Sequence, residues 1–280
     1  MVIITDSGST KTDWAFVSAK GDCTIHSSAG CNPYFMTLSE IEALFSSVRL
    51  SMPQGEDISH IWFYGAGCTP GEKSAMVLRA LAKVFGNECR TDVETDMLGA
   101  ARALCGTCEG IACILGTGSN SCHYDGEKII ANTPPLGFIL GDEGSGANLG
   151  KLFVGSVLKD QLSPAIKEEF LRHYGPVGDI IDRVYRKPFP NRWLASLSPF
   201  ICQHLGDPEV RQLVKGAFKD FFVRNIFNYC RPDLKIGMIG SVAHHYGSII
   251  TEVALELHLN MGTITQSPLK GLIQYHHERQ

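Results

Sequence analysis

Apolar residues along the chain fall into two kinds of pattern. Short unbroken runs such as Val2-Ile3-Ile4, Trp14-Ala15-Phe16-Val17 and Ile111-Ala112-Cys113-Ile114-Leu115 have the form of buried strands. Longer stretches repeat their apolar residues every three or four positions, as Ile41, Leu44, Phe45 and Val48 do within 38–50, which is the spacing of an amphipathic helix. In the first half these patterns predict a strand, a polar turn and a second strand over 2–17, a short strand at Thr24-Ile25-His26, and a turn over 28–33. A helix over 38–50, a strand over 58–64, a helix over 71–85, a strand over 88–93 and a helix opening at Thr95-Asp96 follow. Strands alternating with helices argue an α/β fold with parallel pairing.

The pattern then restarts. Ile111 to Leu115 leads into Gly116-Thr117-Gly118-Ser119-Asn120-Ser121, and Cys122-His123-Tyr124 leaves it, repeating the opening plan of strand, Gly/Ser/Thr turn and strand. Two such units ~100 residues apart point to a duplicated domain, because a solenoid repeats every ~20–50 residues. A boundary near 106–110 divides the chain into 1–107 and 108–280, with the last helix free to pack back on the first domain. The second half continues with a glycine-rich turn over 141–146 and helices over 147–160, 164–174, 178–185, 193–205 and 208–228. Lys187-Pro188-Phe189-Pro190-Asn191 is a stiff connection. A late strand over 236–239 ends in Gly240-Ser241-Val242-Ala243 at a helix start, and a last helix covers 268–277.

Composition narrows the function classes. At 280 residues with 44% hydrophobic and 19% charged residues, the chain is that of an ordinary globular protein of about two domains. A net charge of −4 offers no basic footprint for nucleic acid. No apolar run approaches the ~20 residues of a membrane span. Asp6 interrupts the N-terminal apolar run and no basic region precedes it, so no secretion signal is expected and the location is read as cytoplasmic.

Ten cysteines are many, but they are scattered. Cys105 and Cys108 make one C-x-x-C, and a zinc site needs a second pair at matching spacing, for which Cys122-His123 is the one further candidate. Buried thiols in a reducing compartment explain the set, with a redox or iron–sulfur role as the competing reading. The His244-His245 and His276-His277 pairs suit surface positions better than a metal site.

The chemistry concentrates in the turns. Thr5-Asp6-Ser7-Gly8-Ser9-Thr10-Lys11-Thr12-Asp13 offers backbone N–H groups and hydroxyls that phosphate oxygens can approach closely, unless it is only a polar turn. Lys11 adds a positive charge, and Asp6 at the strand end can hold Mg²⁺ through water. Each turn is a weak signal alone; their order is specific.

That order resembles the superfamily of actin, the heat-shock chaperone ATPases and the sugar kinases. The implied fold is two duplicated ribonuclease H-like (actin-like ATPase) domains with a nucleotide cleft between them. Leu115-Gly116-Thr117-Gly118-Ser119-Asn120-Ser121 and Gly141-Asp142-Glu143-Gly144-Ser145 resemble the N-acetylglucosamine kinase family, as do Asn32, Asp96 in Thr-Asp-Met-Leu-Gly-Ala-Ala, and Leu-Ala-Ser-Leu at 194–197.

The resemblance implies an ATP- and Mg²⁺-dependent kinase acting on the 6-hydroxyl of an amino sugar, in a protein that forms a homodimer. Asp96 becomes the catalytic base and a sugar ligand, with a plain helix cap as its competing role. Asn32, Gly137 and Asp142 become sugar ligands, and Glu143 competes with Asp142 for that place. Ser9, Thr10 and Lys11 meet the phosphates from one domain, and Thr117, Ser119 and Asn120 from the other. Gly240, Ser241 and Ala243 resemble the family's adenosine turn, and Asp6 faces Mg²⁺.

One departure stands out. Where the family has Gly-Gly-Trp-Gly against the sugar's acetamido group, this chain has Pro134-Pro135-Leu136-Gly137, of which only Gly137 fits. The prolines remove two backbone donors and leave N-acetylmuramate, glucosamine or another hexose open as acceptors. The rival from another class is the ATPase activator of an iron–sulfur 2-hydroxyacyl-CoA dehydratase or benzoyl-CoA reductase. Those activators carry Gly-Gly-Gln-Asp where this chain has Gly141-Asp142-Glu143-Gly144. A sugar sensor without turnover is the third reading.

Overall fold

The computed structural model describes residues 1–53, 55 and 57–279, and its contacts divide into two compact units. Unit 1 comprises Met1–Thr107 and Ser267–Gln280, and unit 2 comprises Cys108–Gln266.

Unit 1 opens with the antiparallel strands β1 (Val2–Ser7), β2 (Lys11–Val17) and β3 (Cys23–Ala29), followed by α1 (Leu38–Leu50), β4 (His60–Gly65), α2 (Glu72–Phe85), β5 (Arg90–Thr95) and α3 (Asp96–Cys105). The strands form one sheet in the order β3-β2-β1-β4-β5, with β1, β4 and β5 parallel. Side chains alternate across a strand, so neighbouring apolar residues feed two layers. Ile3, Trp14, Phe16, Ile61 and Phe63 pack with Phe45 of α1 and Leu81 of α2. Ile4, Ala15 and Tyr64 face the other way, against Leu269 and Leu272 of the C-terminal helix (Leu269–His277). Burial on both faces explains why β1 reads as an unbroken apolar run. Thr37 caps α1 in a reciprocal box with Glu40, and Thr95 caps α3 by accepting from the Leu98 N–H at 3.2 Å.

The C-terminal helix carries a histidine that corrects the surface expectation. His277, His244 and His245 are exposed, but His276 is buried at 5% exposure. Trp62 lies between the rings of His60 and His276, stacked at centroid distances of 3.6 and 4.0 Å. Arg102 Nη1 donates to the Tyr64 hydroxyl at 2.8 Å, which leaves the hydroxyl proton for His276 Nε2 at 2.8 Å. Burial, reinforced by the Arg102 charge, pushes the imidazole down to about 3, so it accepts as the neutral ring.

Unit 2 repeats the plan. Its strands β6 (Gly110–Leu115), β7 (Ser119–Tyr124), β8 (Ile129–Thr133), β9 (Ile236–Ile239) and β10 (Met261–Thr265) form a sheet in the order β8-β7-β6-β9-β10. Pairing is antiparallel for β6–β7–β8 and parallel for β6–β9–β10, as in unit 1. Between β8 and β9 the chain inserts α4 (Gly137–Leu140), α5 (Gly146–Leu158), α6 (Pro164–Tyr174), α7 (Val177–Tyr185), α8 (Pro190–Ser196), α9 (Ser198–Gln203) and α10 (Pro208–Phe221). Two further helices, α11 (Ser241–His245) and α12 (Gly247–Glu256), join β9 to β10.

Several local readings change. The segment expected as one helix over 193–205 is two, α8 and α9, which meet at Leu197 just before Pro199, a residue with no N–H to continue the ladder. The helix expected over 208–228 ends at Phe221 and passes into a π-turn, Phe222–Ile226, and then a 3₁₀ turn, Phe227–Tyr229. β8, β10 and α12 lie outside the predicted elements; the two strands are only five residues long, too short to show a clear alternation. Among the described residues no helix is long and apolar enough to cross a membrane.

Candidate functional site

In unit 1 the carboxyl ends of the parallel strands lie level, with Ser7 opposite Gly65 and Gly65 opposite Thr95. The polar residues singled out by sequence therefore gather at one sheet edge, where ligands of open α/β sheets bind. The hairpin at Gly8–Thr10 closes with the Gly8 N–H donating to the Lys11 carbonyl at 2.9 Å. Gly30 lies flat against it: a Cβ there would sit 2.4 Å from the Gly8 carbonyl and 2.5 Å from the Thr10 nitrogen. Asn32 is nearly buried. Its Nδ2 donates to Ser9 Oγ at 2.7 Å and its Oδ1 accepts from the Tyr34 N–H at 3.0 Å. Gly67 backs the same amide, since a Cβ there would meet Asn32 Oδ1 at 2.4 Å.

Asp96 is the first residue of α3 and Thr95 is its cap, so the helix-cap role falls to the neighbour. The Asp96 carboxylate accepts from the Met97 N–H at 2.9 Å, and desolvation raises its pKa in spite of that bond. Asp6 is raised from 3.8 to about 7, first by burial and then by the Asp96 and Asp13 charges, with Lys11 opposing. Lys11 itself pairs with Asp13 at 2.9 Å and is well exposed. Two neighbouring carboxyls that resist joint ionisation fit a divalent cation, which Mg²⁺ proteins commonly bind through one or two carboxylates plus phosphate oxygens. Thr10 is exposed at the hairpin tip.

Unit 2 assembles a second group. Its hairpin closes with the Gly116 N–H donating to the Gly118 carbonyl at 2.9 Å. The first N–H groups of α5, from Gly146 and Ala147, donate to the carbonyls of Gly116 and Thr117 at 2.8 and 3.1 Å. Thr117 is exposed, Ser119 is buried, and Asn120 Oδ1 accepts from the Ser121 N–H and Asn132 Nδ2, each at 2.9 Å.

Asp142 belongs to this group and is held on three sides. Its N–H donates to the Pro135 carbonyl at 2.9 Å, its carbonyl accepts from Ser145 at 3.1 Å, and its carboxylate accepts from the Ser119 N–H at 3.2 Å. It sits at φ +55°, a left-handed conformation that costs a non-glycine residue of order 1 kcal/mol and marks a constrained site. A Cβ at Gly118 would come within 3.1 Å of that carboxylate, which explains glycine there. Desolvation raises the Asp142 pKa. Gly137, at φ +75°, accepts the Gly141 N–H at 2.8 Å and so closes the loop that carries Pro135.

Gly240 has φ +126°, and a Cβ on it would strike the Leu115 carbonyl at 2.2 Å, directly before the hairpin. Ser241 is exposed, but Ala243 is fully buried in the unit 2 core.

Glu143 is tied inward: its carboxylate takes Arg224 Nε at 3.0 Å and Asn225 Nδ2 at 3.3 Å and it is buried at 8% exposure, whereas Asp142 is half-buried. Sequence reasoning missed Arg224 and Asn225, along with Gly30 and Gly67. The glycines carried a signal, each standing beside a small turn; the π-turn carried none, because its register has no sequence period. Among the described residues no group of three or more His, Cys, Asp or Glu side chains converges as a metal cluster.

No family model matches the chain, and no curated protein does. Among solved structures, the "putative N-acetylglucosamine kinase" of Porphyromonas gingivalis is 52% identical, covers 99% of both chains and superposes with a TM-score of 0.95. The chain belongs to the N-acetylglucosamine kinase family. A "putative N-acetylglucosamine kinase" of Chromobacterium violaceum, 17% identical over 98% of both chains with a TM-score of 0.74, shares the fold of this family member. Component A of (R)-2-hydroxyglutaryl-CoA dehydratase from Acidaminococcus fermentans shares that fold more loosely, at 12% identity, a TM-score of 0.50, and coverage of 100% of this chain and 99% of that one.

Proposed function

We propose that the protein transfers the γ-phosphoryl group of ATP to the 6-hydroxyl of an amino sugar, with N-acetylglucosamine as the acceptor. The observation that carries this reading is the Asp96 carboxyl. It stands at the first turn of α3 beside Asp6, its pKa raised by desolvation, in a member of a sugar kinase family. A carboxylate with raised basicity accepts a hydroxyl proton more readily, which is what the attacking sugar oxygen must lose.

The remaining roles follow from chemistry. Asn32, Gly137 and Asp142 orient the sugar with Asp96. Ser9, Thr10, Lys11, Thr117, Ser119 and Asn120 offer N–H groups, hydroxyls and one cation to the phosphates. Gly240, Ser241 and Ala243 border the adenosine. Mg²⁺ held near Asp6 neutralises phosphate charge when bound. Phosphoryl transfer demands positioning and charge neutralisation more than covalent chemistry, so two polar hairpins and one base suffice. A cytoplasmic location, a homodimer, and the absence of nucleic-acid partners complete the reading. Cysteines buried as small hydrophobes, Cys31 and Cys68 among them, support the first, and the net charge of −4 supports the last.

The test is ADP release from ATP and Mg²⁺ across a panel of N-acetylglucosamine, glucosamine, N-acetylmuramate, N-acetylmannosamine and glucose, for wild type and Asp96→Asn. Release that depends on N-acetylglucosamine and falls about 10²–10⁴-fold in the variant is expected. ATP hydrolysis indifferent to every sugar would overturn the kinase reading in favour of an activator ATPase.

A further inference from the structure

The three segments that hold Asp142 are all tied to one short stretch of irregular helix, 222–229. Glu143, the next residue in the chain, is bonded to Arg224 and Asn225 on the π-turn. Thr133, two residues before the Pro135 carbonyl that accepts the Asp142 N–H, donates its hydroxyl to the Asn225 carbonyl at 3.1 Å. The Thr133 N–H donates to the Tyr229 hydroxyl at 3.0 Å. Ser121, two residues beyond the Ser119 N–H that meets the Asp142 carboxylate, shares a 2.7 Å hydrogen bond with the same tyrosine hydroxyl. Gly144 packs just before this stretch, where a Cβ on it would lie 3.1 Å from that of Phe221.

The π-turn makes this convergence possible. Its last bond runs from the Phe227 N–H to the Phe222 carbonyl, five residues back, so the turn holds one residue more than an α-helix would. That change of register sets the side chains of Arg224 and Asn225 together on one buried carboxylate. Asn225 is also fixed by donating to the Phe221 carbonyl at 3.1 Å, so its amide has no freedom to leave. The arrangement has no bearing on core packing at Arg224, whose side chain is 62% exposed.

We propose that Arg224 and Asn225 are positioning residues that act through Glu143 to hold Asp142 for the acceptor sugar. Glu143 is the structural anchor and touches no ligand. The inference rests on the sugar kinase reading for its kinetic consequence, although the tethering itself does not.

The experiment compares wild type with Arg224→Gln, Arg224→Lys and Asn225→Ala in the full chain. Sugar KM, ATP KM and kcat are measured beside hydrogen exchange of the peptides covering 133–145. Loss of a hydrogen bond to a charged group corresponds to about tenfold or more. Arg224→Gln and Asn225→Ala are therefore expected to raise the sugar KM about tenfold, keep ATP KM within about twofold, and speed exchange over 133–145. Arg224→Lys, which keeps the charge but offers no fork, should recover part of both effects. An unchanged sugar KM together with unchanged exchange over 133–145 overturns the proposal. So does a fall in kcat alone with both KM values unchanged, the mark of a smaller folded fraction. If wild type shows no sugar dependence at all, the kinase reading fails instead, and the exchange measurement still decides whether the π-turn holds the Asp142 loop.

Discussion

Asp6 gives the sharpest physical test. Its carboxyl is raised from 3.8 to about 7 by burial, with the Asp96 and Asp13 charges adding to it. A carboxyl raised in the folded state binds its proton more tightly there than in the unfolded chain. Its contribution to stability is present below the unfolded value of 3.8 and is lost as pH rises through about 7. A shift of about 3 units at ~1.4 kcal/mol each corresponds to about 4 kcal/mol of destabilisation at pH 8, falling to about 2 kcal/mol at pH 5 and under about 1 kcal/mol at pH 4. Asp6→Asn keeps the shape and removes the ionisation. The variant is expected to be more stable than wild type by an amount that grows from pH 4 to pH 7 and then levels. Losing the Asp6 charge also eases ionisation of Asp96, which pushes in the same direction.

Urea unfolding followed by tryptophan fluorescence suits the measurement, because Trp14 and Trp62 both lie in unit 1. The second arm adds MgATP. Ligand at about 100 times its Kd stabilises a protein by about 2.7 kcal/mol, and that gain should be present in wild type and largely absent in Asp6→Asn. A stability difference that stays flat from pH 4 to pH 8 would refute the reasoning. An MgATP gain equal in both proteins would remove Asp6 from the cation's surroundings.

Gly30→Ala should weaken both unit 1 and its grip on nucleotide, since the added methyl meets backbone atoms of the hairpin that cannot rotate away. A loss of about 1–3 kcal/mol in urea unfolding and weaker binding of a non-hydrolysable ATP analogue by calorimetry are expected. His276→Leu removes the Tyr64 bond and the stack on Trp62, neither of which belongs to the proposed site residues. It should lower stability by about 1–3 kcal/mol while leaving sugar KM and ATP KM unchanged in steady-state assays.

The sheet plan was legible because its signals are local. Apolar runs mark β1, β4, β6 and β9, and each ends in a polar turn whose glycines have steric reasons visible in the structure, Gly118 against Asp142 and Gly240 against Leu115 among them. What stayed hidden depended on partners distant in sequence. His276 reads as a tail residue until the C-terminal helix folds back on Trp62. β8 and β10 are five-residue strands, defined by ladders to strands already in place. The division of labour between Asp142 and Glu143 is unreadable in a run of two acids. What differs between them is that Glu143 bonds Arg224 and Asn225, some eighty residues away. Local chemistry sets the turns, and long-range hydrogen bonds decide which way each side chain points.

The Pro134-Pro135-Leu136 departure now has a physical reading. Replacing glycines by prolines removes backbone donors, and the contact that this loop makes with Asp142 uses an acceptor, the Pro135 carbonyl. The lost donors are therefore not the groups that hold the acid. Pro135 restricts its own φ and the conformation of Pro134 before it, which favours a single placement of that carbonyl. Gly141 completes the fit, since any side chain there would meet the same oxygen at 2.1 Å. Leu136, at φ +60° and 60% exposed, is outward-facing, as are Pro134 and Gly137. The departure leaves intact what the loop holds inward and changes the side chains it exposes. The panel of sugars differing at the 2-position, and not a variant of Asp142, is thus the experiment that reads this loop.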